Sequence, residues 1–293
     1  MEVHRFFPGK AFISTILDML EYKHEMTRET KQRFLMRAAM AGIIIGMFYI
    51  GNYAIQAGFD LIKVGEGSLL PIGALMGAGF FGFALVFIYF SKSELLTSNM
   101  MITSIGYYYK RATVGSMMRV LGLCYLGNFV GGLFVALLAW KSTIISNGAM
   151  ELMHHSVDAK TAYITDGAGG WWDLLVRAIL CNFFINLAML MVYNGLIHED
   201  FMKSVAMIVS VFVFAYLGFE HSVANTVLFS IVGLQEGFGA GGLPFGPALA
   251  NVVVCLVGNF IGGGILIGLY YAYLNDEARF LRKRQDLAGE QKP

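Results

Sequence analysis

Apolar residues occur along this chain in long blocks set apart by charges, and the length of each block decides what it can do. Blocks 38–59, 67–91, 120–140 and 178–197 each approach or exceed the roughly 20 apolar residues that a helix needs to cross a bilayer. A fifth block, 237–275, opens as a glycine-rich loop (Phe238-Gly239-Ala240-Gly241-Gly242-Leu243-Pro244) and has its spanning part at 248–273. Three others fall short: 95–109, 204–219 and 222–235. The last two are separated only by Glu220-His221, and the first follows 67–91 across Ser91-Lys92-Ser93-Glu94, so each pair reads as one crossing interrupted in the middle. The pattern predicts an all-α membrane protein of six crossings, with the second and fifth broken.

Composition agrees with that reading. The 293 residues are 57% hydrophobic and 14% charged, against about 25% charged in an ordinary soluble domain. The net charge of +1 gives no reason to expect a nucleic-acid partner. With six crossings, sixteen Lys and Arg residues fall on the side of the two termini, and Lys63, Lys141 and Lys160 fall on the other. The positive-inside rule therefore places both termini in the cytoplasm and the chain in the inner membrane. Residues 1–33 form a charged N-terminal segment without the apolar core of an export signal. Residues 34–274 form the transmembrane domain, and 275–293 a cytoplasmic tail. Within the first segment Phe12, Ile13, Ile16, Leu17 and Leu20 recur at helical spacing. They predict an amphipathic helix, either lying on the inner membrane surface or packed on the cytoplasmic mouth. Cys124, Cys181 and Cys255 all lie in apolar runs without metal-ligand spacing, so neither a metal nor another cofactor is implied.

An internal repeat organises the transmembrane part. Glu94-Leu95-Leu96-Thr97-Ser98-Asn99 is matched by Glu220-His221-Ser222-Val223-Ala224-Asn225, each a Glu and an Asn at one spacing. Gly127-Asn128-Phe129-Val130-Gly131-Gly132 follows the first, and Gly258-Asn259-Phe260-Ile261-Gly262-Gly263 follows the second. Halves of about 34–140 and 172–274, each with three crossings, must enter the membrane in opposite senses, which is the inverted-repeat design that builds solute sites at the midplane. Ser93, Thr97, Ser98, Asn99, Ser222 and Asn225 are short polar side chains able to satisfy the backbone groups freed at a break. Asn128 and Asn259 could bond the same backbone, and the glycines beside them let helices approach closely.

These motifs resemble the formate/nitrite transporter family, whose members are aquaporin-like pentamers of six-helix protomers, each with its own pore. The resemblance runs from about Phe12 to Tyr273, and Gly218-Phe219-Glu220-His221-Ser222-Val223-Ala224-Asn225 is its most specific part. It implies that His221 is the pore histidine, Thr97 its hydrogen-bonding partner, Asn182 the residue that steadies it, and Lys160 the basic residue of the outer vestibule. It implies further that Phe81 and Leu95 line a cytoplasmic-side constriction and Phe214 a periplasmic one, with Leu85 in the apolar lining. Where many relatives have a small residue and glycine before the loop acid, this chain has Lys92-Ser93-Glu94.

Read without the resemblance, an ionisable residue inside a crossing is functional by default, and His221 is that residue here. It stands at the positive end of a half-helix, which favours a nearby anion. The bland alternative is a neutral ring bonding backbone at the break. Glu220 reads as structural, a carboxylate at a helix start capping free N–H groups, and Glu94 as structural at its own break. Arg177 reads as an interfacial anchor, and Lys160 on its own as a solvated loop charge. The expected function is passage of a small monovalent anion, formate first, together with a proton; nitrite, lactate and hydrosulfide are alternatives on the same fold. An aquaporin-type neutral-solute channel is less well supported, since the paired Asn-Pro-Ala motif is missing. An enzyme is not expected, since adjacent Glu220 and His221 diverge by about 100° on a helix.

Overall fold

A computed structural model describes residues 6–239 and 241–282, so the ends of the N-terminal segment and of the tail lie outside the described residues. Among the described residues the regular structure is helical apart from a two-residue-per-strand hairpin, Lys63–Val64 with Gly67–Ser68, turned by Gly65 at φ 60°, and an isolated bridge between Phe238 and Leu243. The helices are α1 (Lys10–Glu29), α2 (Lys31–Asp60), α3 (Leu70–Phe90), α4 (Leu96–Tyr108), α5 (Val114–Ala139), α6 (Asn147–Thr165), α7 (Gly167–Tyr193), α8 (Asp200–Tyr216), α9 (Ser222–Glu236) and α10 (Phe245–Asn259). The last continues without a break through a π-helical stretch, Phe260–Leu269, into α11 (Tyr270–Leu274).

Five helices among the described residues are long and apolar enough to cross a membrane: α2, α3, α5, α7 and the continuous Phe245–Leu274. Their starts follow local chemistry. Pro71 opens α3, where a missing N–H costs nothing, and Thr113 with Ser116 forms a reciprocal capping box at α5. At 17 residues α8 is shorter than these five.

Glycines set the closest helix contacts. A Cβ on Gly131 would collide with the Ala39 carbonyl on α2, and one on Gly262 with the Ile179 carbonyl on α7. The two Gly-Asn-Phe motifs thus dock α5 on α2 and α10 on α7. The π-helical stretch lies along α4, where a Cβ on Gly264 would come within 2.7 Å of Ser104 Oγ.

Two sequence expectations resolve differently. The amphipathic helix α1 packs on the bundle, with Phe12, Ile16 and Leu20 buried among core residues. The stretch between the expected halves, including Lys160, is the 19-residue helix α6, which packs on α10, α2 and α7. Five charges or imidazoles, Glu151, His154, His155, Asp158 and Lys160, disguise it as a polar loop in the sequence. Helix α1 thus precedes α2 and α3, and α6 precedes α7 and α8.

Candidate functional site

The site is built around two interruptions, one between α3 and α4 and one between α8 and α9. Non-helical backbone in an apolar interior must find partners for its N–H and C=O groups. One asparagine serves each interruption. Asn128 Oδ1 accepts from the Leu96 N–H at 3.0 Å, and its Nδ2 donates to the carbonyls of Ala38 and Glu94, both at 2.8 Å. Asn259 Oδ1 accepts from the Ser222 N–H at 2.9 Å, and its Nδ2 donates to the carbonyls of Ala178 and Glu220 at 2.8 and 3.0 Å. Matching main-chain bonds join Glu94 to the Arg37 carbonyl and Glu220 to the Arg177 carbonyl. Of the short polar side chains near the breaks, Ser222 Oγ has no partner and Thr97 Oγ1 meets His221 Nε2, while Ser91 Oγ donates to the Ile88 carbonyl at 3.3 Å.

The acids do something other than capping. Glu220 receives the Lys160 ammonium on both carboxylate oxygens, at 2.8 and 2.7 Å, and the Asn225 amide at 2.5 Å. Glu94 receives Lys23 and, at 3.1 Å, the Asn99 amide. The expectation that Glu220 caps its half-helix is corrected, and the reason is electrostatic. A carboxylate only 3–5% exposed needs a full opposite charge, and a helix end offers about half of one. Lys160 is correspondingly no solvated loop charge; its side chain is 13% exposed. Burial disfavours its ammonium, but the Glu220 carboxylate with the Tyr49 and Tyr53 hydroxyls outweighs that, holding the lysine pKa above its ordinary value. Lys23 is its counterpart from α1, concealed in the sequence among the charges of the N-terminal segment.

His221 caps α9. Its Nδ1 accepts from the Val223 and Ala224 N–H groups at 3.1 and 3.2 Å. An accepting Nδ1 assigns the proton of a neutral ring to Nε2, which then donates to Thr97 Oγ1 at 3.3 Å. Asn182 does not reach the ring. It donates to the Thr97 carbonyl at 3.2 Å and the Asn259 carbonyl at 2.7 Å, and Asn186 also donates to the Thr97 carbonyl, so the two amides fix the threonine instead. The Arg177 guanidinium donates to Asp173 and to the Gly218 carbonyl just past the end of α8, and it lies over the Tyr163 ring.

Three cavities lie in series. One of about 210 Å³ is bounded by Tyr49, Tyr53, Lys160, Phe214, His221 and Asn225. One of about 270 Å³ is bounded by Lys23, Arg37, Glu94, Leu95, Lys92 and Tyr193. Between them is a waist of about 20 Å³ in which His221 is the one polar side chain beside Phe81, Leu85, Ile88, Leu95, Ile185 and Phe214. The phenylalanines divide otherwise than expected. Phe81 meets Phe214 edge-on at 6.4 Å and both border the Lys160 cavity, whereas Leu85 and Leu95 border the Lys23 cavity. The Phe214 ring also stacks on His221 at 6.1 Å.

Known proteins share both the sequence and the fold. The chain is 30% identical over 68% of its length to the formate channel FocA of Haemophilus influenzae, covering 74% of that protein. It is 29% identical to the nitrite transporter NirC of Escherichia coli, over 84% of each chain. A solved structure described as an FNT family ion channel superposes with a TM-score of 0.76 at 25% identity, over 89% of this chain and 98% of that one. The family model for formate/nitrite transporters matches residues 11–273, and the chain, a multi-pass membrane protein, belongs to that family.

Proposed function

We propose that the three cavities are one conduction path for a small monovalent anion, formate before nitrite, and that the substrate crosses the waist as its neutral acid. One observation carries this reading: an apolar waist with a single imidazole stands between two cavities, each holding a lysine on a buried Glu–Asn pair. The lysines draw the anion in, on one side from outside and on the other from the cytoplasm. A bare carboxylate cannot enter phenylalanine and leucine surroundings without a large desolvation penalty. As water is lost its pKa rises, so it takes a proton that entered from the same solution. The acid, small and uncharged, slips past Phe81 and Phe214, meets the donor on His221 Nε2 and the Thr97 hydroxyl, and passes Leu95 and Leu85. In the far cavity water returns and the proton leaves. One proton moves with one anion, and no net charge crosses.

The topology belongs to the same proposal. The pairs α3–α4 and α8–α9 are interrupted crossings in two inverted halves, which with α2, α5, α7 and α10–α11 make six. Lys160 faces outward, both termini and Lys23 face the cytoplasm of a cell with this chain in its inner membrane, and membership of the family implies a pentamer. Hydrosulfide or lactate as the main substrate, or a neutral solute such as glycerol, are the competing readings. A liposome swelling assay separates them: formate and nitrite enter fastest, lactate slowly, and glycerol at the rate of protein-free vesicles. Glycerol entry matching that of formate would end the anion reading.

A further inference from the structure

The two halves differ at one buried position behind their ion pairs. In the first, Val120 lies one helical turn before Cys124; in the second, Asn251 lies one turn before Cys255, and both residues are wholly buried. Asn251 uses both ends of its amide. Its Oδ1 accepts from Asn225 Nδ2 at 2.9 Å, and its Nδ2 donates to the main-chain carbonyl of Lys160 at 2.8 Å. An amide nitrogen has two hydrogens, and Asn225 gives its other one to Glu220 at 2.5 Å. A flipped Asn225 would set its oxygen against two acceptors, so its orientation is fixed with its amide nitrogen turned to Glu220 and Asn251. The Lys160 carbonyl is the second anchor, tying α6 to α10 at the residue whose ammonium meets Glu220.

The first half lacks this lock. Asn99 gives its amide to Glu94 and to Cys124 Sγ, its own Oδ1 is buried without a donor, and among the described residues no side chain bonds the Lys23 carbonyl. An amide buried on α10, at a place where a valine suffices in the other half, calls for a reason beyond packing.

We propose that Asn251 is a positioning residue for anion capture: through its bonds to the Asn225 amide and the Lys160 carbonyl it holds the Asn225–Glu220 pair and the Lys160 helix in the one arrangement in which the ammonium faces an anion arriving in the outer cavity. The proposal rests on reading that cavity as the substrate's entry. Asn251 touches no substrate; it acts through Asn225 and Lys160.

The test is the concentration dependence of initial formate uptake by intact cells that make the chain and have no other formate route, with assembled copies counted by gel filtration. Asn251→Val installs the side chain of the first half. It should raise the half-saturating formate concentration about three- to tenfold, the weight of one hydrogen bond, with the maximal rate per assembled copy little changed. Asn251→Thr, isosteric with valine but carrying a hydroxyl that can accept from Asn225, should fall between Val and wild type. A merely structural role would lower the maximal rate and leave half-saturation alone; that result overturns the proposal. Should the valine chain not assemble, the threonine chain against wild type decides by the same criterion. Lys160→Ala separates the two levels of inference. If it raises half-saturation while the Asn251 variants do not, the positioning role alone falls; if it has no effect, the reading of the outer cavity falls first.

Discussion

The interruptions before α4 and before α9 share a frame and differ in what they place at the waist. Asn128 and Asn259 make the same three bonds to the same kinds of group, and Glu94 and Glu220 each pair with a lysine from the helix that precedes their half. Yet the N-cap residue of α4 is Leu95, whose side chain offers the helix nothing, and the N-cap residue of α9 is His221, whose Nδ1 serves two N–H groups. The left-handed residue just before each acid differs too: Lys92 at φ 55° in the first half and Gly218 at φ 66° in the second. The comparison teaches that one backbone frame can carry different side chains at the waist, a leucine at one interruption and a histidine at the other. Both interruptions need the frame to exist in an apolar interior, whereas the waist holds one polar side chain.

Breaking the frame should have the largest effect, and the same effect in both halves. Asn128→Leu and Asn259→Leu keep approximate volume but remove three hydrogen bonds to main chain apiece and leave the Leu96 or Ser222 N–H buried without its acceptor, a loss of about 1–3 kcal/mol for that group alone. Both chains should lose most of their assembled yield and melt far below wild type in detergent. Failure of only one would show that the frames are not equivalent. The smallest effects come from the left-handed residues. Gly218→Ala forces a Cβ into that region and should cost roughly 1–2 kcal/mol in a thermal or denaturant melt. Lys92→Gly relieves a strain of similar size but pays with a freer unfolded chain, so its net change should stay below about 1 kcal/mol. A larger loss in Lys92→Gly would mean that the lysine, lying over the Tyr89 ring at 5.0 Å, contributes more through that contact than its backbone costs.

What could be read beforehand follows from which interactions are local. Apolar block lengths located the long helices because a helix that crosses is a property of consecutive residues. The duplicated Glu–Asn and Gly-Asn-Phe motifs pointed to the breaks for the same reason. Helix α6 was missed because its charged face reads as loop until the partners of that face are known: His154 lies on Glu236, and Lys160 on Glu220. Lys23 and Asn251 were missed likewise, since a lysine in a charged segment and an asparagine in an apolar one gain meaning only from contacts 71 and 26 residues away. The meeting of His221 with Thr97, 124 residues apart, came from family resemblance and not from spacing. That resemblance also misassigned Phe81, whose ring belongs with Phe214, because a rotation about α3 decides which cavity a side chain borders and no one-dimensional pattern carries it.

The central claim is that anion and proton cross the waist together as a neutral acid, and simultaneous recording of formate entry, internal pH and membrane potential in proteoliposomes tests it most directly. Above the background of protein-free vesicles, entry should be faster at lower external pH, since more of the substrate is protonated there. It should acidify the interior by one proton per formate and ignore a potential imposed with potassium and valinomycin. His221→Phe, which keeps the ring but removes both nitrogens, should alter the pH profile of entry if the imidazole is a waypoint; an unaltered profile in a folded chain would leave His221 as the cap of α9 alone. Formate entry that follows an inside-positive potential and leaves the internal pH unchanged would contradict the account.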